Sequence, residues 1–395
     1  MKRLTTERLV LGAALALLVQ GAAFCGAAPE EEFNDSVHME DNSAVNVKIT
    51  EDSWKGVTYQ PRGENVPPIT IDVSRVKGTE YADRVAEYEK GMEALRKREY
   101  AGAEEKLQDG LKKTKDKKQH QYFLVGLIEA AEAQGKGAAV RGYVERMIKI
   151  SPAPRLVYDA YLKMGESHLR EGNFKGAESA YGEAARFFGQ LETQAMKITS
   201  AGLRGQVKRY QVLAKYWRIF CMEQQGKAKI EGREGAKRAY FLFEAEAGSN
   251  RTLLYRAKIG RARCDAVLGD HDKALKDLEA LRKELEDPKN KDASAALAEV
   301  YVSLGDVYFL KLDYRQARWY YLTVIVRHAN DRAMTARAHY KAGLCYEKLV
   351  EKARERQGLP RALRHYEIVV KEFQGCVEHK AAKERLESLK GRLGA

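Results

Sequence analysis

Residues 158–188 read YDAYLKMGESHLREGNFKGAESAYGEAARFF, and residues 298–328 read AEVYVSLGDVYFLKLDYRQARWYYLTVIVRH. In both stretches, small and aromatic residues recur at helical spacing on either side of a short polar segment. The residues that match at the same offsets are Tyr161 and Tyr301, Gly165 and Gly305, His168 and Tyr308, Phe174 and Tyr314, Ala177 and Ala317, and Tyr181 and Tyr321. The pattern predicts a pair of helices that occurs more than once in the chain.

The same frame continues on both sides of these two copies, with a small residue where two helices would pack closely. Its alanines are Ala103, Ala139, Ala177, Ala236, Ala274, Ala317 and Ala362. Successive alanines are 36 to 59 residues apart, and the largest gap separates Ala177 from Ala236. We therefore predict about seven helix pairs, some with lengthened helices or loops. An amphipathic helix within residues 379–393 would cap the last pair.

The distribution of proline agrees with a helical body. Only four of the eight prolines follow residue 69, and proline is the strongest helix breaker. These four are Pro152, Pro154, Pro288 and Pro360, which lie at the ends of predicted copies or between their helices. Such sparse use of proline argues against a sheet-based enzyme fold over most of the chain.

The spacing of the repeated residues resembles the tetratricopeptide repeat (TPR), a unit of two antiparallel helices in about 34 residues. The resemblance covers residues 79–393 and implies an all-α fold, a right-handed TPR superhelix or α-solenoid. The segments AHYKAGLCYEKL, ALRHYEIVVKEF and AAKERLESL, within residues 338–389, are also similar to the C-terminal region of the Tol-Pal-associated periplasmic coordinator and related envelope proteins. This second resemblance implies a scaffold of the bacterial envelope.

Residues 44–78 form a different unit, in which apolar and polar residues alternate. Val45, Val47 and Ile49 begin the alternation, and glycines and prolines separate the later apolar runs. Alternation with period two is typical of half-buried β-strands. We predict three short strands that pack on the first helices, because about 35 residues bury little core alone.

The N-terminal 28 residues are predicted to be a signal peptide. Three basic residues precede the apolar stretch 9–19, and small residues lead to a cleavage site near Ala28. An uncleaved membrane anchor is the alternative. Residues 29–43, which are strongly acidic, are predicted to be a flexible leader before a basic body, since the whole chain carries a formal charge of +13. We therefore expect export to the periplasm or cell envelope of a bacterium.

Four cysteines follow the predicted signal: Cys221, Cys264, Cys345 and Cys376. An even number in an exported protein allows disulfides, but at least three lie in helical apolar patterns, where a free cysteine is a small buried hydrophobe. The eight histidines are scattered, and the sequence lacks zinc-ligand spacing, an HExxH motif and a G-x-S-x-G elbow. We therefore expect a protein that is not an enzyme and uses no metal or cofactor.

Basic residues concentrate in two predicted helices, within residues 204–218 and residues 251–263. One interpretation is that these faces bind an anionic envelope polymer or a membrane surface. The other is that they are solvated faces whose aromatic residues, Trp217 among them, point into the core. Nucleic acid is not expected as a partner of an exported protein.

The resemblance to TPR proteins implies a concave wall formed by the first helix of each repeat, where a partner protein or peptide would bind. Residues at positions i, i+3, i+7 and i+10 share one helix face. The predicted partner-binding residues are Asp159, Leu162, Glu166, Leu169, Arg256, Ile259, Arg263, Glu299, Val302, Asp306, Phe309, Arg337 and Tyr340. Asparagine is absent from this set, which argues against the Lys–Asn clamp that some members of the family use for carboxylates. We predict a non-catalytic scaffold that binds a protein or peptide.

Overall fold

The N-terminal unit is a five-stranded antiparallel sheet. The computed structural model describes residues 34–61, 66–198, 200–227, 235–248, 250–290, 296–353 and 358–394. The strands are β1 (Asp35–Met39), β2 (Ala44–Ser53), β3 (Gly56–Gln60), β4 (Ile69–Asp72) and β5 (Val76–Glu80), in the spatial order β4-β3-β2-β1-β5. Val37, Val47, Ile49 and Val57 are buried on one face, as the period-two alternation predicts.

The two edge strands of the sheet are neighbours in sequence. Strands β4 and β5 lie at opposite edges, although only the 3-10 turn Val73–Arg75 separates them in sequence. A register shift between Ile49 and Glu51 in β2 marks a bulge of the kind that bends a strand.

The three strands predicted within residues 44–78 correspond to β2, β3 and β4, but the predicted strand count and bounds are wrong, because β1 precedes residue 44, β5 ends at Glu80, and both belong to the same sheet. The flexible leader predicted over residues 29–43 is therefore also wrong for Asp35–Met39; residues 29–33 lie outside the described ranges. The Asp35 carboxylate accepts hydrogen bonds from the backbone N–H of Ile49 and of Ala82, each at 3.0 Å. Asp35, one of the acidic residues that suggested a solvated leader, thus stabilises the sheet. Val37 in the same strand is fully buried.

From residue 86 onward the described chain is helical, with short connections. The helices are α1 (Ala86–Arg96), α2 (Tyr100–Lys113), α3 (His120–Ala133), α4 (Gly137–Ile148), α5 (Val157–Arg170), α6 (Phe174–Ala195), α7 (Ala201–Gln224), α8 (Ala236–Ala247), α9 (Arg251–Val267), α10 (His271–Glu286), α11 (Leu297–Leu310), α12 (Tyr314–Arg327), α13 (Arg332–Ala353), α14 (Gly358–Glu372) and α15 (His379–Gly394). None of these helices combines the length and apolar composition needed to cross a bilayer.

Each helix packs on the next, and the odd-numbered helices also contact one another along most of the row. The odd-numbered helices therefore form an inner row, and the even-numbered helices form an outer one. The final helix, α15, packs on α14. This arrangement confirms the predicted all-α solenoid of seven helix pairs with a capping helix, preceded by a small β unit.

Close approach of the two rows depends on glycines that face buried tyrosine rings. The pairs are Gly165 with Tyr181, Gly260 with Tyr240, Gly305 with Tyr321 and Gly343 with Tyr366. A Cβ atom at any of these glycines would come within 2.4–2.6 Å of the ring. All four tyrosines, called here the packing tyrosines, are fully buried. The small and aromatic residues of the repeat frame therefore have the packing role that the sequence predicts.

A buried polar network joins the sheet to the solenoid. The Asp52 carboxylate accepts a hydrogen bond from Arg155 Nε at 2.9 Å, from the Tyr81 hydroxyl at 3.0 Å, and from the Tyr122 hydroxyl. The side chain of Asp52 is completely buried, and that of Arg155 is 7% exposed. Burial, followed by the charge of Asp52, raises the pKa of Tyr81, so its hydroxyl remains a donor. The sheet is thus fixed on α3 and on the segment before α5.

A second junction lies at the N-terminus of α7. The Asp72 carboxylate accepts hydrogen bonds from the Ser74 backbone N–H at 2.8 Å and from the hydroxyl of Ser200, the N-cap residue of α7. Burial raises the pKa of Asp72, but the hydrogen bonds from Ser200 and Ser74 outweigh it and the net shift is downward. A carboxylate is favourable here because the helix dipole is positive at this end.

Candidate functional site

A cavity of about 750 Å³ lies between distant repeats of the solenoid. One wall comes from α5, α6 and α7, and the other comes from α13 and from the segment around Gly375–Glu384 that leads into α15. These walls are separated by more than 100 residues in sequence, so the coiling of the solenoid brings them together. We call this space the channel cavity.

The apolar part of the channel cavity is formed mainly by large side chains. These are Leu169, Phe174, Trp217, Phe220, Met334 and Val377. The rings of Trp217 and Phe220 meet edge to face with centroids 5.5 Å apart, and the Trp217 ring stacks on Tyr181 with centroids 6.2 Å apart. The result is an aromatic surface on α7 that is half-buried and open to the cavity.

The charged residues on the α5 side of the channel cavity are paired within the protein. Arg170 Nη2 lies 2.9 Å from Glu132 Oε1, and Glu166 Oε2 lies 2.8 Å from the Nζ atom of Lys163. Glu171, at the end of this wall, accepts from Arg141. This wall therefore presents little uncompensated charge to a ligand.

The opposite wall contains a tight group of charges around Asp306. Arg337 Nη2 lies 2.9 Å from Asp306 Oδ2, Lys341 Nζ lies 3.2 Å from Oδ1, and the Tyr321 hydroxyl donates to Oδ1 at 2.7 Å. Burial alone would raise the pKa of Asp306, but Lys341, Arg337 and the Tyr321 hydroxyl lower it to about 2. Next to this group, burial raises the pKa of Glu378, and Arg337 only partly offsets that effect.

Four of the predicted partner-binding residues line the channel cavity: Glu166, Leu169, Arg337 and Tyr340. Three others do not face a partner, because Leu162, Ile259 and Val302 are 7%, 0% and 1% exposed and pack between helices. The prediction is wrong for these three. Positions i, i+3, i+7 and i+10 do share one helix face, but the inner helices contact one another along that face and leave little of it open.

Three further predicted positions form a buried ion-pair network between repeats. Arg263 is 5% exposed; its Nε and Nη2 atoms lie 2.6 and 2.8 Å from the Glu223 oxygens, and its Nη1 lies 2.7 Å from Glu299 Oε1. Arg256 Nε lies 3.3 Å from the other Glu299 oxygen. Arg256, Arg263 and Glu299, predicted to lie on the wall that binds a partner, therefore form ion pairs within the protein. The predicted partner-binding role is wrong for Arg263 and Glu299, because both are buried.

The remaining predicted positions lie outside the channel cavity or support it. Asp159 accepts from the Tyr210 hydroxyl at 2.5 Å, Asp306 is held by Arg337 and Lys341, and Phe309 packs edge to face on Tyr314. Phe220, Met334 and the segment 375–378 are not among the residues predicted from the sequence. Trp217 packs against the core, as one of the two interpretations of the basic segments predicts, and it also lines the channel cavity.

Several basic residues of the two segments have partners within the protein. In the first, Lys208 Nζ lies 3.3 Å from Glu192 Oε1, and Arg204 donates to the Ile198 carbonyl at 2.7 Å. In the second, Arg261 Nε lies 3.2 Å from Glu244 Oε1, and Arg256 and Arg263 belong to the network described above. These contacts give no support to a polymer-binding or membrane-binding face.

The four cysteines in the described part of the chain are free thiols. Cys221, Cys264 and Cys345 are fully buried on helices, as the apolar patterns predict. Burial raises the pKa of Cys221 and of Cys345 to about 12, so both are protonated at neutral pH. Cys25 lies outside the described residues. Across the ranges that the structure describes, no three His, Cys, Asp or Glu side chains come together in a metal-binding arrangement.

No protein-family model matches the chain, and a search of curated proteins finds no match. Solved structures do show similarity. A tetratricopeptide repeat protein from Parabacteroides merdae is 16% identical with a TM-score of 0.47, over 78% of this chain and 100% of that one. NprR in complex with its cognate peptide NprX is 16% identical with a TM-score of 0.41, over 78% and 89%. Rap protein complexed with competence and sporulation factor is 15% identical with a TM-score of 0.33, over 78% and 98%. Similarities with identities of 15–16% and TM-scores below 0.5 indicate no ligand for this chain.

Proposed function

We propose that this protein is a non-catalytic interaction scaffold that binds a segment of a partner protein in the channel cavity. The observation that carries the proposal is the convergence of repeats three, four and seven and of the segment before α15 on one cavity of about 750 Å³. Cavities of this size, apolar and with a few polar groups, are typical of ligand sites. Extended concave surfaces are the surfaces that solenoid proteins use for binding.

The walls favour a peptide over a small ion or a flat protein surface. The aromatic surface of Trp217 and Phe220 offers apolar contact area, while the charges on the α5 wall are already paired. A binding partner gains affinity by burying apolar side chains here, whereas a net charge on the partner adds little affinity. An extended segment with apolar side chains meets both conditions.

The test uses random 12-residue peptides displayed on phage and selected on the purified protein, residues 29–395. Val377→Arg puts a charge in the apolar part of the cavity. We expect this variant to bind the selected synthetic peptides at least about tenfold more weakly, which corresponds to about 1.4 kcal/mol of binding free energy. Isothermal titration calorimetry measures the dissociation constants. Val377 is 37% exposed, so the variant is expected to fold.

Val326→Arg is the matched control, because Val326 lies on α12, is 79% exposed and is not part of the cavity lining. The control is expected to bind the peptides as the wild-type protein does. Peptides that bind the Val377→Arg variant and the wild type equally well would place the binding surface elsewhere and contradict the proposal.

We propose further that the protein works after export, in the bacterial cell envelope. Support comes from the sequence alone: the basic and apolar segments of residues 1–28, and the similarity of residues 338–389 to envelope TPR proteins. Residues 1–33 lie outside the described structure. Expression of the full chain in a bacterium should yield periplasmic protein whose N-terminus, determined by mass spectrometry, begins near Pro29. Recovery of the intact N-terminus in the cytoplasm would contradict export.

A further inference from the structure

The hydroxyl of Tyr181 is a buried donor without a hydrogen-bond partner. Tyr181 is 0% exposed, and it belongs to the lining of the channel cavity beside Trp217. No described residue accepts a hydrogen bond from its hydroxyl oxygen. Buried polar groups are nearly always paired, and an unpaired donor is costly. The unpaired hydroxyl of Tyr181 is therefore an exception that the packing of its ring does not explain.

The other three packing tyrosines show what this position normally does in the fold. Tyr240 donates to Glu223 at 2.7 Å, Tyr321 to Asp306 at 2.7 Å and Tyr366 to Glu347 at 2.5 Å. In each case a carboxylate of an inner helix is the acceptor. Tyr181 lies against Gly165 in the same way as Tyr321 lies against Gly305, but its hydroxyl lacks such an acceptor.

The charges around Tyr181 explain why its own repeat does not supply the acceptor. Glu166 occupies the position that Asp306 has in the sixth repeat, but its carboxylate pairs with Lys163 at 2.8 Å and lies 3.8 Å from Arg170. Burial, followed by the charge of Glu166, raises the pKa of Tyr181 well above its usual value, so the hydroxyl keeps its proton. The hydroxyl is therefore a protonated donor that lies buried within the wall of the cavity.

We infer that the Tyr181 hydroxyl recognises a neutral acceptor, a backbone carbonyl of an extended peptide segment whose neighbouring apolar side chain packs on Trp217 and Phe220. A carboxylate is disfavoured as the acceptor because Glu166 lies near the hydroxyl and the local cations already have partners. The inference rests on the proposed function, since it names the chemistry that the channel cavity selects.

The test compares Tyr181→Phe with Tyr366→Phe, using a synthetic peptide from the phage selection whose binding the Val377→Arg variant weakens. Tyr181→Phe removes an unpaired hydroxyl, so its melting temperature should equal or exceed that of the wild type, while peptide binding becomes about tenfold weaker. Tyr366→Phe leaves the buried Glu347 without its tyrosine donor, and neither residue lines the channel cavity, so this variant should melt at a lower temperature and bind the peptide normally.

A second measurement identifies the acceptor. Peptides are made in which one amide at a time is replaced by a thioamide, whose sulfur is a weaker acceptor than oxygen. One replacement should weaken binding to the wild-type protein and leave binding to Tyr181→Phe unchanged. Equal affinity of the selected peptide for wild type and Tyr181→Phe would overturn this inference while the effect of Val377→Arg still stands. Failure of both Tyr181→Phe and Val377→Arg to change binding would overturn the proposed function as well.

Discussion

Arg263→Ala is expected to lower the free energy of unfolding by about 3–5 kcal/mol. The side chains of Arg263, Glu223 and Glu299 are 6%, 7% and 10% exposed. Removal of the guanidinium would leave two largely buried carboxylates without their main counterion. The Tyr240 hydroxyl, which donates to Glu223 at 2.7 Å, would become the principal donor left there. Urea denaturation followed by circular dichroism measures the change.

Arg261→Ala is the matched control, two residues away on α9. Its partner is Glu244, and the two side chains are 33% and 17% exposed, so water screens the pair and its loss should cost less than about 1 kcal/mol. A combined replacement of Glu223 and Glu299 by Leu and of Arg263 by Met should recover part of the stability, because the three most buried charges are removed together, while Arg256 and the Tyr240 hydroxyl lose their acceptors. Equal effects of Arg263→Ala and Arg261→Ala would contradict this account of the network.

Asp52→Ala is expected to lower the free energy of unfolding by a similar amount, about 3–5 kcal/mol, and to loosen the contact between the sheet and the solenoid. Asp52 is the common acceptor for Arg155, Tyr81 and Tyr122, and the Arg155 guanidinium would remain buried without a carboxylate. Hydrogen–deuterium exchange should show faster exchange in strands β1 to β5 than in helices α9 to α14. A uniform increase over the whole chain would indicate global destabilisation and contradict a local junction.

Asp41→Ala provides the control for Asp52→Ala. Asp41 lies in the turn between β1 and β2 and accepts hydrogen bonds only from Ser43 among the described residues, in full contact with solvent. We expect its melting temperature and its exchange pattern to stay close to those of the wild type. A change comparable to that of Asp52→Ala would show that the sheet tolerates no loss of acidic residues, and that the junction has no special role.

Much of the fold could be predicted from the sequence because a solenoid depends on short-range patterns. The repeated Gly and Tyr positions, such as Gly305 and Tyr321, are needed wherever two helices cross closely, and they recur in every clear copy. The first strand was not predicted, because in the segment DSVHM only Val37 carries a strong strand signal. Its pairing with β2 and β5 depends on residues up to Glu80, which no local pattern of Asp35–Met39 contains.

The channel cavity could be predicted only in part. The repeat frame placed Glu166, Leu169, Arg337 and Tyr340 on inner helices, and the structure brings these four to the cavity. The repeat frame gave no sign that Val377 and Trp217 would line the same cavity, since the distance between these two residues depends on the accumulated rotation of several repeats. The long helices α6 and α7, which fill the largest gap between the frame alanines, contribute to this rotation.

The helical period and the spacing of glycine and tyrosine predicted seven helix pairs with a cap, because these patterns reflect contacts between neighbouring helices, and the period-two alternation predicted a small β unit. The pairing of charges followed from the three-dimensional structure, which shows which charges line the channel cavity and which face each other. Arg263 and Arg337 look alike in the repeat frame, yet one is buried between two glutamates and the other lies at the wall of the channel cavity. The physical reason is that ion pairing and cavity shape depend on side chains from repeats far apart in the chain.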